Sequence, residues 1–329
     1  MATVRLSDII EPAQFTNYIV QNTMQRTALA QSGVMTLNSV IGAQITAGAD
    51  SFTVPMWLDL ADDEANIVSD DPTVLATPKK ISTAKQVVRK SFLHNSWSAM
   101  NLASEIGGDD ALVRIQDRAS AYWDRQLQHR LIASLKGVLA DNLASDGGDM
   151  VLDITGETGD AAKFSAEAVI QATGTMGDAM QDVTGIAMHS DVYRAALKQD
   201  LIEFVQPSNG SMALPTFRGL AVVMDDGLPV TAGDYTTVLF GRGAVGYAVS
   251  APRIADGTEI ENLPSSGNGG GQQILHTRLN VGVHPAGFTW KEANVLAESP
   301  SLAELANGDN WGRVVSRKAT PLAYLVSKL

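Results

Sequence analysis

The chain has 329 residues, with 24 Lys and Arg against 36 Asp and Glu, a formal charge of -12 and no cysteine. That length fills one large or two ordinary domains with a real core. The charge excludes nucleic-acid binding by a globally positive surface, and the missing thiols exclude a disulfide framework, a thiolate metal site and a cysteine nucleophile. An apolar fraction of 45% with 18% charged residues marks a folding chain rather than a disordered one.

Met1 to Phe15 carry Pro12 and two acids where a secretory signal needs an apolar run, and nowhere do about 18 apolar residues follow one another. A soluble chain that bypasses the secretory route is expected. Residues 1–50 are nearly uncharged and rich in Ala, Thr, Gln and Asn, with Gly33, Gly42 and Gly48 interrupting any long helix. They read as an arm with one short helix near Phe15 to Ala30, whose poor apolar face needs another surface to lie on.

Charge is segregated in the next stretch. Asp59, Asp62, Asp63, Glu64, Asp70 and Asp71 form an acidic run without a base, and Lys79, Lys80, Lys85, Arg89 and Lys90 a basic run without an acid. Ser51 to Leu58 and Ile81 to Leu93 have the β-branched and aromatic residues of strands, which predicts a long hairpin with an irregular tip and oppositely charged legs. Two readings fit. The legs pair their own charges in solvent, where each exposed pair contributes only ~0.2–1 kcal/mol, or the hairpin lies across a neighbouring subunit. An isolated hairpin is marginal in water, which favours a covering partner.

Asp109 to Ala140 gives the clearest helix. Leu112, Ile115, Ala119, Tyr122, Trp123, Leu127, Leu131, Leu135 and Val138 recur at steps of one, three or four residues behind Asp109 or Asp110 as N-cap. At 1.5 Å per residue it is roughly 45 Å long, a spine ending near Asn142 and Gly147-Gly148. Asp141 to Glu261 then alternates helix and strand signals: a helix after Ser165 with Phe164 and Val169 as a hydrophobic staple, a strand over Ile186 to Met188, a helix over Ser190 to Gln199 and a strand over Leu220 to Met224. This region holds 18 acids and six bases, so it carries the whole net charge of the chain. After the Gly-rich Ser265 to Gly271, Gln272 to Trp290 is strand-rich. The tail shows a short helix at Leu302 to Ala306 and strand segments at Val314-Val315 and Leu322 to Val326.

Few motifs suggest chemistry. Gly241-Arg242-Gly243-Ala244-Val245-Gly246 matches the dinucleotide fingerprint G-x-G-x-x-G and sits 20 residues before Glu261. The fingerprint needs a helix opening within the motif, and Pro252 arrives too soon for one. His189-Ser190-Asp191 has the residue types of a hydrolase triad, but adjacent residues cannot converge as a triad does. Ser190 as N-cap, with Asp191 favouring the helix dipole, explains both polar residues. His276 and His284 are separated by roughly 26 Å of extended chain, too far to share a metal. The paired acids Asp62-Asp63-Glu64, Asp70-Asp71 and Asp225-Asp226 read as solvated turns. No catalytic, cofactor-binding or metal-ligating residue is expected.

Arm, charged hairpin, spine helix, acidic α/β unit and strand-rich return follow in an order that resembles the major capsid proteins of tailed double-stranded DNA bacteriophages, the Hong Kong 97-type fold. The likeness is carried by Gly185-Ile186-Ala187-Met188-His189-Ser190-Asp191-Val192-Tyr193, by Phe217 to Asp226 (FRGLAVVMDD), and by Leu239 to Ala244 with His284 to Trp290 (HPAGFTW). Ser299-Pro300-Ser301 and Asn310-Trp311 add to it.

The resemblance implies an α+β capsid fold: an N-terminal arm over 1–50, an extended β-hairpin loop over 51–95, a peripheral domain over 96–149 and 272–329 containing the spine helix at 109–140, and an axial α/β domain over 150–271. It implies a non-enzymatic, self-assembling shell subunit, without membrane contact, forming pentamers and hexamers around weakly contacted DNA. The bacterial host cytoplasm would be the assembly site, with room for scaffolding, portal and decoration proteins. The two legs of the loop supply the candidate assembly contacts. The alternatives are an encapsulin-like compartment shell and, in another class, a dinucleotide-binding enzyme using Gly241 to Gly246.

Overall fold

A computed structural model of the chain describes residues 35–60, 63–73, 75–205 and 214–329. The helix expected near Phe15 to Ala30 and the acid Asp62 lie outside these residues.

The spine helix runs Ala111–Ser145, 35 residues and about 52 Å. Asp110 caps it, its Oδ1 accepting from the Leu112 amide at 2.9 Å. Its two halves differ. From Gln128 to Val138 almost every side chain is buried, including Leu131, Ile132, Ser134 and Leu135, whereas of the residues from Ala111 to Leu127 Leu112 alone is buried. The C-terminal half is therefore a core element and the N-terminal half a surface one.

Two large sheets meet at the buried half. In the eight-stranded sheet the order is Val151–Asp153, Leu322–Ser327, Asp234–Gly241, Val183–Met188, Leu220–Met224, Leu214–Phe217 and Glu203–Val205, with Val230–Thr231 added beside Asp234–Gly241. Side chains alternate across a strand, so a sheet covered on both faces needs apolar residues in continuous runs. The runs behave so. Ala187, Val238, Phe240, Leu322 and Tyr324 face the spine helix core, while Ile186, Met188, Leu239, Ala323 and Leu325 face a second core with helices Ala166–Gly174 and Ser190–Lys198. Phe164 and Val169 both join that second core, as the staple requires.

The second sheet has five strands, Met35–Leu37, Val245–Ser250, Gln272–Pro285, Thr258–Leu263 and Ser91–Met100, the 14-residue strand Gln272–Pro285 pairing with three of the others. Strand pairing joins distant parts of the chain: Leu322–Ser327 from the tail lies inside the eight-stranded sheet, and Val245–Ser250 and Thr258–Leu263 pair with Gln272–Pro285. The end of the expected arm is also built into the body: Met35–Leu37 runs parallel to Val245–Ser250, and Ile41 and Ile45 of helix Ser39–Ile45 are buried against Ala248. Apolar Ile41 and Ile45, four apart on one helix face, are the local reason.

Smaller expectations shift as well. The tail strand is Trp311–Arg313 rather than Val314-Val315, and pairs with Phe288–Trp290. Helix Ser190–Lys198 is capped by His189, whose Nδ1 accepts from the Asp191 amide at 3.1 Å; Ser190 is the first helical residue and donates its amide to Asp226.

His284, near the end of the strand Gln272–Pro285, is buried beside Trp311, with its Nε2 2.8 Å from the Phe288 carbonyl oxygen. Burial pushes its pKa down to about 4. Between about pH 6.5 and pH 4 the unfolded chain then binds a proton that the folded chain excludes, so this group removes up to about 3 kcal/mol of stability as pH falls through that window. His284→Gln retains a donor for Phe288 and is expected to flatten the fall of the urea midpoint between pH 7 and pH 4.5. An unchanged pH profile would exclude His284 as its source.

Candidate assembly surface

The charged segment is a stalk with a clamped root and an uncovered tip. Strand Ser51–Trp57 pairs antiparallel with Thr83–Arg89, Ser51 opposite Arg89 and Trp57 opposite Thr83. The expected second strand, Ile81 to Leu93, breaks at Lys90, after which Ser91–Met100 joins the five-stranded sheet. Past Leu58, whose amide donates to Ser82, no strand forms in the described residues of the tip. Ile67 is 88% exposed, Val68 94% and Leu75 82%. Aliphatic side chains held in water at the end of a stalk call for a second surface.

The predicted contact residues fall into two groups. Asp59, Asp63, Glu64, Asp70, Asp71, Lys79, Lys80 and Lys85 are exposed on the stalk and tip. Among them Lys79 Nζ is 3.2 Å from Asp63 Oδ2, a pair across the tip. Asp71 closes a local turn, its Oδ1 accepting from the Thr73 amide at 2.9 Å and hydroxyl at 2.7 Å, and these bonds hold its carboxyl below the ordinary range.

Arg89 and Lys90 differ from the others in being turned into the subunit. Both are buried. Arg89 forms ion pairs with Asp50 Oδ2 at 2.6 Å and Glu292 Oε1 at 3.1 Å and donates from Nη2 to the Glu298 carbonyl at 2.8 Å. Lys90 donates from Nζ to the Ala47 carbonyl at 2.6 Å and lies 6.0 Å from the Phe52 ring centroid; burial lowers its pKa, with Asp50 acting against the shift. Two further bonds fix the root: the Val87 amide to Thr289 Oγ1 at 3.0 Å and the Phe92 amide to Ser299 Oγ at 2.9 Å. These residues aim the stalk. Sequence reasoning missed Thr289, Glu292 and Glu298 because they lie some 200 positions away, and no local pattern ties them to the hairpin.

The chemistry-like motifs resolve into structure. Gly241 to Ala244 is a turn carrying the chain from the eight-stranded to the five-stranded sheet, and a strand, not a helix, follows it. Gly243 has φ +71, and a Cβ at Gly241 would sit 2.9 Å from Pro321 Cβ. The glycines serve the crossing, and no helix N-terminus is there to receive a pyrophosphate. His276 bonds His94 and Glu261, well apart from His284. Among the described residues no group of three or more His, Asp or Glu is placed to hold a metal ion, and no helix is long and apolar enough to cross a membrane.

Comparison with known proteins agrees with this geometry. The profile of the Gp13-like family, described as major capsid protein 13-like, matches residues 111–321. The major capsid protein of Bacillus phage SPP1 is 35% identical over 336 aligned positions, covering 100% of this chain and 99% of that protein. Among solved structures, the cyanophage Pam1 capsid superposes with a TM-score of 0.61 at 11% identity, covering 96% of each chain, and the capsid of an empty GTA particle with 0.58 at 13% identity, covering 97% of this chain and 96% of that one. The fold is thus the Hong Kong 97-type capsid fold expected from the order of elements. Matched by the family profile over more than half its length and by a capsid protein relative from end to end, the chain belongs to the Gp13-like family of phage major capsid proteins.

Proposed function

We propose that this capsid subunit assembles as pentamers and hexamers in which each copy lays its stalk tip on a neighbour, closing an icosahedral head around double-stranded DNA. The observation that carries this is the combination of a root fixed by Arg89 and Lys90 with a tip exposing Ile67 and Val68. An arm rooted in the body and bearing unburied aliphatic side chains has its apolar surface left for association. The protein builds a shell rather than catalyses a reaction, as its family does.

In this reading the eight-stranded sheet with its two helices is the axial domain, the spine helix and five-stranded sheet form the peripheral domain, and the hairpin is the extended loop. The formal charge of -12 leaves packaged DNA weakly contacted, and assembly takes place in the bacterial host cytoplasm with separate scaffolding, portal and decoration proteins. An encapsulin complex from Synechococcus elongatus shares the fold at a TM-score of 0.54 and 11% identity, but the 35% identity to a phage capsid protein favours the phage head. Electron microscopy of the chain expressed alone and with its genomic neighbours should show closed particles of uniform size. Monomers or dimers under every condition would overturn the proposal.

Because Arg89 and Lys90 are internal, reversing all five bases would put carboxylates into the root and unfold it locally. Lys80→Glu with Lys85→Glu confines the change to solvent. We expect unchanged circular dichroism and about tenfold fewer closed particles, since like charges set opposite one another at an interface are costly. Normal yield would remove the basic leg from the contact.

A further inference from the structure

We propose that His94 and His276 form a binding site for a divalent transition-metal ion of the Zn²⁺ type, which clips strand Ser91–Met100 to the long strand Gln272–Pro285.

The two histidines stand on adjacent antiparallel strands. In the register His94 lies opposite Arg278 and Ser96 opposite His276, so the imidazoles are diagonal neighbours on one face of the sheet. The spine helix packs on the other face, where Trp123 Nε1 donates to Thr277 Oγ1 at 3.2 Å. His94 is accordingly exposed, and its ring stacks on that of His276 with centroids 5.4 Å apart and 26° between the planes. His94 Nε2 lies 3.2 Å from His276 Nδ1. Two nitrogens on one tetrahedral Zn²⁺, each about 2.0–2.1 Å from the ion, are about 3.3–3.4 Å apart. The pair is therefore already close to the spacing that a shared ion requires.

Each nitrogen must also keep a lone pair free. Glu261 secures this for His276: its Oε2 is 3.1 Å from Nε2, the far ring nitrogen, which places the proton there and leaves Nδ1 bare. A carboxylate behind the ring is the common support of an imidazole ligand. Standing behind the ring, Glu261 is not itself a ligand, so the chain supplies two nitrogens and solvent fills the remaining positions. Arg278 donates from Nη1 to Glu259 Oε2 and to the Asp256 carbonyl, both at 3.0 Å, which ties its charge toward strand Thr258–Leu263. Partial burial, with His276 and Arg278 adding to it, lowers the pKa of His94, so this ring meets the ion uncharged at neutral pH. Imidazole pairs suit Zn²⁺, Ni²⁺ and Cu²⁺, whereas Mg²⁺ and Ca²⁺ take oxygen ligands. The competing account is an N–H···N bond between the rings, which takes up no ion.

Calorimetric titration of the metal-free chain with ZnCl₂ should show about one ion bound per subunit, and saturating Zn²⁺, but not Mg²⁺, should raise the thermal midpoint, because an ion held only by the folded chain stabilises it. His94→Gln and His276→Gln should each abolish uptake with unchanged circular dichroism, since both rings lie on the face away from the spine helix. Glu261→Ala, which removes neither ligand, should weaken binding about tenfold. No uptake of Zn²⁺ by the unaltered chain, or uptake that survives both histidine substitutions, would overturn the proposal and leave the contact as a hydrogen bond between rings.

Discussion

Gly137→Ala is expected to lower the stability of the monomer by about 3 kcal/mol, against the roughly 1 kcal/mol gain that alanine normally brings to a helix interior. Gly137 sits in the buried half of the spine helix, and a Cβ there would fall onto the Leu305 carbonyl oxygen and the Trp311 indole. Neither yields easily. Trp311 is 1% exposed, donates from Nε1 to that same carbonyl at 2.8 Å and packs edge to face on Trp290 at 5.1 Å. The helix would have to lift off the core or Trp311 leave it. Urea denaturation followed by tryptophan fluorescence measures the loss. Gly42→Ala is the control, because a Cβ at Gly42 meets nothing within 4 Å and the change should be neutral or stabilising. A stabilising Gly137→Ala would show that the spine helix does not pack on Trp311 as described.

Ile67→Asp with Val68→Asp is expected to leave monomer stability within about 0.5 kcal/mol, as for other exposed positions, and to abolish closed particles. Burying two such side chains contributes about 3–6 kcal/mol per contact, and a shell repeats that contact in every copy. Equilibrium denaturation and particle counts by electron microscopy report the two effects separately. Particles at normal yield would show that the apolar tip is not an assembly contact, whatever its exposure in the single subunit.

Much of this architecture was legible in the sequence for identifiable reasons. The spine announced itself through Leu131, Leu135 and Val138 at helical spacing, and Asp110 was one of two cap candidates because few other residues satisfy free helix amides. One two-faced strand showed as the uninterrupted run Ile186-Ala187-Met188. What was not legible depends on contacts distant in the chain. A strand signal at Leu322 to Val326 does not say that its partners are Asp234–Gly241 and Val151–Asp153. The basic run from Lys79 to Lys90 looks uniform, yet it divides between solvent and interior because the stalk enters the body at Arg89, opposite Asp50 and Glu292.

Hydrogen exchange over residues 58–82 in free subunits and in closed particles tests the central claim most directly. Among the described residues of this segment few backbone amides are bonded within the subunit, so fast exchange is expected in the free chain and protection of at least about tenfold in the particle, where a neighbour covers the tip. Equal, fast exchange in both states would contradict the account, because the stalk would then cross no neighbour and the shell would be held by other surfaces.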